Sequence, residues 1–405
     1  MGCDNKENQG NDAVCEVRES YDCQLLYFTS SSCLKNNKGL VFIGEENGNP
    51  NVYYKEYATG QVKRLTENTE GILKSYVYFN GRPHKGLGKA SVCLDQNQEV
   101  VYYLQGRNIC RVDLQGEIRV LNQIPEDQVT AFMHVSTDGT RLCVPTSDWR
   151  TLEDPPHDGP VTTRPKYDID DRVQKENLNS YLRVYDTATG EEVLCERVPK
   201  SWITHVQFHP QDNSKILYNH EWASDWGVRR IWLWNGTYHR ALRTIDEGRN
   251  INDVVYHEVW SEDGSQVIYH GSYVNGRYYV GRITMETGAI TEVMLPESYT
   301  GYGHFTISTD GLLVSDGYYQ RPEDAEDTRV SWNKEAKWLT VQKVDWENKT
   351  IEWFPLKKHE SSWMTQDAHP HPIFSPDGKR IYYTTDGSGK LEVRSCTVPE
   401  AARVR

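Results

Sequence analysis

Three side chains near the end of the chain have the types and spacing to hold a metal ion. They are Gln366, His369 and His371, in the run Gln366-Asp367-Ala368-His369-Pro370-His371 that leads into Pro372-Ile373-Phe374-Ser375-Pro376-Asp377-Gly378. Residues i and i+2 of an extended segment project to the same side, so the two imidazoles can converge on one point, with Gln366 reaching it from the preceding turn. A bare His-x-His more often satisfies hydrogen bonds at a strand end. Here Pro370 stiffens the backbone between the imidazoles and an amide stands close by, which favours ligation.

Other histidines share this position. His257, His304 and His371 each stand six residues before the aspartate of an Asp-Gly pair, at Asp263-Gly264, Asp310-Gly311 and Asp377-Gly378. One such imidazole reads as structural, whereas several at one level of successive repeats argue for a site. Imidazole and amide oxygen ligands suit Mn, Fe, Ni or Zn better than a hard ion such as Ca or Mg. Because these ligands are neutral, the ion's charge stays uncancelled and should attract an anionic group, a carboxylate above all.

Two arginines, Arg229 and Arg230, lie in the aromatic stretch Trp226-Gly227-Val228-Arg229-Arg230-Ile231-Trp232-Leu233-Trp234. Alternation along a strand puts them on opposite faces, so one points inward. A buried arginine needs a partner, and two readings stand side by side: a fork for a sugar carboxylate, or an ion pair with Glu221 or Asp225. His84 sits in the basic, glycine-rich segment Gly81-Arg82-Pro83-His84-Lys85-Gly86-Leu87-Gly88-Lys89, which lacks the strand-to-helix setting of a phosphate loop.

The elements that must position these groups are strands. A unit made of an apolar strand, a Ser-x-Asp-Gly type turn and a second strand recurs at Ser136-Thr137-Asp138-Gly139, Ser261-Glu262-Asp263-Gly264, Ser308-Thr309-Asp310-Gly311 and Ser375-Pro376-Asp377-Gly378. Weaker copies lie at Leu34 to Lys38, Cys93 to Asn97 and Phe208 to Asn213, which brings the repeats to seven. Tight-turn pairs at Thr59-Gly60, Thr189-Gly190, Asn235-Gly236 and Thr287-Gly288 add a second hairpin per unit. The expected fold is all-β, a seven-bladed β-propeller of four-stranded antiparallel blades. Residues 23-400 are assigned to this single domain, and residues 1-22 to a flexible N-terminal segment. The proline-rich stretch from Trp149 to Asn179 reads as an irregular insertion, and no segment carries a sustained helical period.

Composition agrees with strands and narrows the partners. Tyr and Trp number 25 and 12 in 405 residues, a bias that suits β structure and carbohydrate stacking. A formal net charge of -13 with no basic arm argues against nucleic acid. No apolar run is long enough to span a membrane, and no signal-peptide core is present. The nine cysteines form no Cys-x-x-Cys pair; Cys15 and Cys23 could pair in an oxidising compartment. The opening Met1-Gly2-Cys3 and its polar continuation resemble a mature bacterial lipoprotein, which would place the chain in the periplasm or anchor it to a membrane through lipid on Cys3. Without that lipid the expectation is a cytoplasmic protein. A monomer is expected.

Read together, these segments resemble the oligogalacturonate lyases, a seven-bladed polysaccharide-lyase family, from Tyr27-Phe28 to Tyr382-Tyr383-Thr384-Thr385-Asp386. The specific parts are His220-Glu221 with Arg230-Ile231-Trp232-Leu233, then His257-Glu258-Val259-Trp260, His304, and Gln366 with His369-Pro370-His371-Pro372. The resemblance implies a Mn2+ site (Ca2+ or Zn2+ as alternatives) from His304, Gln366, His369 and His371. It further implies His257 as the base and Arg230 as a catalytic and substrate-binding group; His84, His220 and Trp222 are further candidate substrate-binding residues. The family's Gly-Pro after His-Glu is replaced by Trp222-Ala223, and the His84 loop is additional. The implied activity is metal-assisted β-elimination on uronic-acid oligosaccharides of the pectin type. The first alternative is a lyase or α-L-rhamnosidase acting on rhamnose-capped glucuronate of arabinogalactan, a group that the His84 loop could fit. The second is a non-catalytic propeller that binds glycans or proteins.

Overall fold

The Ser-x-Asp-Gly repeat has a local cause that is the same in every copy. In the first, Ser136 Oγ donates to Asp138 Oδ1 at 2.6 Å and accepts from Arg141 N at 3.0 Å, while Asp138 Oδ1 accepts from Thr140 N. The equivalent serines, Ser261, Ser308 and Ser375, donate to Asp263, Asp310 and Asp377 at 2.7, 2.5 and 2.6 Å. The chain reverses through a left-handed residue, with φ of 71°, 71°, 85° and 66° at Gly139, Gly264, Gly311 and Gly378. Only glycine adopts this region without cost, so each copy closes the hairpin between a blade's inner strand and its neighbour.

This computed structural model describes residues 13–75, 82–153, 169–221, 226–247, 253–273, 277–296, 303–317 and 338–403. Seven antiparallel sheets result, six of four strands and one whose inner edge is split into two short strands. Their inner strands are, in order, Asp22–Gln24, Leu87–Asp95, the pair Gln128–Thr130 and His134–Val135, then Val206–His209, Asp253–Trp260, Phe305–Ile307 and Ile373–Phe374. All seven sequence repeats fall on the turn that follows an inner strand. Apolar side chains from adjoining blades interlock, for example Leu94, Val101 and Val112 of blade 2 with Val41, Ile43 and Val52 of blade 1. No helix among the described residues is long and apolar enough to cross a membrane.

Three expectations are corrected. The N-terminal segment is not flexible throughout, because Val14–Val17 forms the outermost strand of blade 7, with Val14 opposite Ser395 and Cys15 opposite Arg394. That pairing closes the ring with the two ends of the chain, and it explains why blade 7 carries no second tight-turn pair. Cys15 and Cys23 are both free, Cys15 on the surface and Cys23 buried. Finally, part of the insertion is helical: Ile169–Glu176 is a helix that buries Ile169 and Val173 against Leu152, Leu178 and Trp202. Cys3 and the insertion's prolines lie outside the described residues.

Candidate active site

The start of each inner strand faces one mouth of the central channel, and there the sheet-forming sequence gives way to polar side chains. His304 precedes Phe305–Ile307 of blade 6, and His369 and His371 precede Ile373–Phe374 of blade 7. The ligand nitrogens of these three buried histidines lie within 4.8 Å of one another. Asp316 fixes two of them with one carboxylate. Its Oδ1 accepts from His304 N at 2.6 Å, and its Oδ2 faces His304 Nδ1 at 3.2 Å and accepts from His371 N at 3.1 Å. A carboxylate on Nδ1 leaves His304 to present Nε2 to its neighbours. Trp363 stacks on His369 at 4.3 Å from a left-handed backbone, φ 56°.

Two observations fit this triad to a metal ion. His371 Nε2 is buried with no hydrogen-bond partner, a costly state unless a ligand completes it. Burial, reinforced by His304, His369 and His205, also holds its pKa well below the ordinary imidazole value, so it is a neutral donor. Gln366 opens the single turn Gln366–Ala368 just before His369, and its carbonyl accepts from His369 N at 3.3 Å. The next residue, Asp367, pairs at 3.0 Å with the buried Lys89 of blade 2, which ties the turn to that blade.

His257 stands beside the triad, its ring 4.8 Å from that of His304. Its Nδ1 lies 3.1 Å from Gly303 O and 3.0 Å from His270 Nε2. A carbonyl can only accept, so Nδ1 carries the proton and Nε2 the lone pair. Burial, then the nearby His304, His270 and Arg230, keep this imidazole neutral, with its pKa far below the usual range.

Arg230 is the inward arginine and Arg229 the outward one, which pairs with Asp246 on the surface. Of the two readings the ion pair is present, through a wider set of acids than foreseen. Arg230 Nε donates to Glu258 Oε2 at 2.8 Å, NH1 to Glu221 Oε1 at 3.1 Å, and its backbone N to Glu247 Oε2 at 2.9 Å. Burial pushes the Glu221 carboxyl up, but Arg230 and His205 outweigh it and hold it below the usual value.

The remaining candidates separate. His220 is buried with its ring against Trp232 and Tyr218, so the structure does not bring it into the axial cluster. His84 stays on the loop leading into blade 2, in a left-handed conformation with φ 67°, packed on the turn at Gly106. Trp222 lies outside the described residues. Several members of the site were not foreseen. His205 precedes the inner strand of blade 4, where the repeat has lost its Asp-Gly signal; Glu258 follows His257 at a bulge; and Asp316 directly follows the strand Leu313–Ser315 with nothing in the sequence to mark it. Tyr27 and Phe28 leave the inner strand of blade 1 and cross the axis. Tyr27 meets rings from four other blades, at Phe132, His205, His304 and His371.

Comparison with known proteins supplies a context for this geometry. A family model described as Oligogalacturonate lyase matches residues 6–402. An oligogalacturonide lyase of Pectobacterium atrosepticum is 27% identical over 399 residues, covering 94% of this chain and 91% of that protein. An oligogalacturonate lyase of Dickeya dadantii is 28% identical over 398 residues with the same coverage. Among solved structures, an oligogalacturonate lyase in complex with manganese superposes with a TM-score of 0.74 at 24% identity, over 98% of this chain and 96% of that one. A second, from Vibrio parahaemolyticus, gives the same TM-score at 21% identity. At those identities the two structures bear on the fold alone.

Proposed function

The chain belongs to the oligogalacturonate lyase family, and on that premise we propose that it cleaves pectin-derived oligogalacturonides by β-elimination at the axial cluster. The observation that carries this reading is His257, with Nδ1 on the Gly303 carbonyl and its ring 4.8 Å from that of His304 in the converging histidine triad. The proton at C5 of a uronate is too weakly acidic to leave while the adjacent carboxylate keeps its full charge. A divalent ion such as Mn2+, held by His304, Gln366, His369 and His371, would neutralise that carboxylate and acidify the C5–H bond.

The chain's own residues do the rest. His257 Nε2 accepts the C5 proton, and its Nδ1–H stays on the Gly303 carbonyl throughout. Arg230, anchored by Glu221 and Glu258, sets positive charge beside the base and the uronate, where it opposes protonation of His257 and favours the developing enolate. Trp363 and Phe28, packed on the imidazoles, keep bulk water from them. His84 and Trp222 remain proposed substrate contacts. The relatives found are oligogalacturonate lyases, which favours pectin fragments over rhamnose-capped glucuronate.

The test is incubation with oligogalacturonides and, in parallel, with rhamnose-capped glucuronate oligosaccharides. Elimination conjugates a new C4–C5 double bond to the carboxylate and yields an ultraviolet-absorbing product. Products one water heavier, with no chromophore, would replace this reading by a hydrolytic one.

A further inference from the structure

Beyond the base, β-elimination needs a proton for the departing glycosidic oxygen, and a hydrogen-bonded chain on the axis is built to deliver one. Glu258 Oε1 lies 3.2 Å from His205 Nδ1, and His205 Nε2 lies 3.1 Å from the Tyr27 hydroxyl. All three side chains are buried, and Tyr27 at 8% exposure sits at the depth of His257 at 9% and His369 at 8%. The Tyr27 ring is stacked on Phe132 at 3.5 Å and edge-on to His371 at 4.8 Å, so its place is fixed from two sides.

His205 is arranged to work in both tautomers. With the proton on Nδ1 it donates to Glu258, and Nε2 accepts the Tyr27 O–H. With the proton on Nε2 it donates to the Tyr27 oxygen, and Nδ1 accepts from Arg230 NH2, which lies 3.3 Å away. Either state leaves both nitrogens of the ring partnered, although the second takes the His205 donor away from Glu258 Oε1. The first state keeps Tyr27 protonated, and the second stabilises its phenolate. A purely structural histidine needs one of these partner sets, not both.

We propose that Tyr27 is the second catalytic residue of the lyase reaction, protonating the leaving oxygen, with His205 and Glu258 as the residues that position it. The role rests on the elimination reading given above. His257 takes the C5 proton, the C5–H electron pair becomes the C4–C5 double bond, and the C4–O bond breaks with its pair on oxygen. The Tyr27 proton goes to that oxygen and leaves a phenolate; after product release solvent returns a proton to Tyr27 and takes one from His257, while His205 stays neutral. No oxidant or reductant is consumed.

The leaving group provides the test. Turnover of oligogalacturonide, whose leaving group is a poorly stabilised alkoxide, is compared with that of a uronate carrying a 4-nitrophenyl ether at C4, whose phenolate leaves without help. Tyr27→Phe should lose about 10²- to 10⁴-fold in kcat on the first substrate and less than about 10-fold on the second, with metal content at the parental level. His205→Gln should show the same split and serves if the tyrosine variant does not fold. Equal losses on both substrates, or a loss of bound metal, would overturn the assignment. A parent enzyme that forms saturated products from both substrates overturns the lyase reading itself, an outcome told apart by the parent alone.

Discussion

Asp316 grips His304 at two points, with Oδ1 on its backbone nitrogen at 2.6 Å and Oδ2 at its Nδ1 at 3.2 Å. The carboxylate thereby sets both where this imidazole sits and which nitrogen it offers. Asp316→Asn keeps the backbone contact but lets the amide face Nδ1 in either sense. Metal affinity should fall by about 10- to 100-fold, the usual cost of losing such a partner. Removing a ligand outright, by His369→Ala, should leave the purified protein depleted of metal. Titration with Mn2+ and elemental analysis check both, and unchanged metal content in His369→Ala would remove the triad from the site.

On the elimination reading, His257 serves catalysis rather than metal binding. The imidazole's Nδ1 is tied to Gly303 O, so the residue's contribution to turnover comes from Nε2. His257→Ala should cost about 10²- to 10⁴-fold in kcat while metal content stays at the parental level. A variant with parental turnover would mean that another group takes the C5 proton.

How far the sequence reveals this site follows from which residues keep the repeat's frame. His257, His304 and His371 each hold the six-residue offset from an Asp-Gly turn, so their convergence is readable before any coordinates. His205 loses that frame because the turn after it runs Gln211-Asp212-Asn213, and Tyr27 loses it because its segment leaves the strand before reaching the axis. Glu258 is hidden by alternation: it should point away from His257, but the register slips between Val255 and Glu258 and both reach the axial cluster. The partner of Val14–Val17 lies at the far end of the chain, and no local pattern announces so remote a pairing. His220, a candidate substrate contact, packs its ring on Trp232 and Tyr218 and stands apart from the axial histidines.

Arg230 balances two buried acids, and this makes its loss expensive. Its side chain is 6% exposed, against 5% for Glu221 and 0% for Glu258. Arg230→Met would leave both carboxylates buried without their cation. Unfolding free energy should drop by about 3–5 kcal/mol, the range for breaking a buried pair from one side. The double variant that also carries Glu221→Gln should recover part of that loss in denaturant titrations. If Arg230→Met alone unfolds at the parental midpoint, the charges around it are compensated by groups other than those described.

The closure of the ring should register in the acid limb of stability. Glu392 lies beside the outermost strand of blade 7 and accepts from Arg18 Nε at 2.5 Å and Arg394 Nε at 2.6 Å. Burial alone would push its carboxyl up, but these guanidinium hydrogen bonds outweigh burial and bring it down to about 2. A folded-state value below the unfolded one means that the unfolded chain binds the proton first. The stabilisation is therefore complete at neutral pH and is lost as pH falls from about 4.5 toward 2. A full shift of that size corresponds to about 3 kcal/mol, and the exposure of Arg18 to solvent reduces it. Glu392→Gln should accordingly lower stability at pH 7 and flatten its dependence below pH 5. The same flattening should follow removal of the residues through Arg18, which strips both the strand and one of the two guanidinium groups. A parental acid limb in Glu392→Gln would show that the N-terminal strand holds blade 7 by its backbone pairing and apolar contacts, with this ion pair contributing nothing measurable.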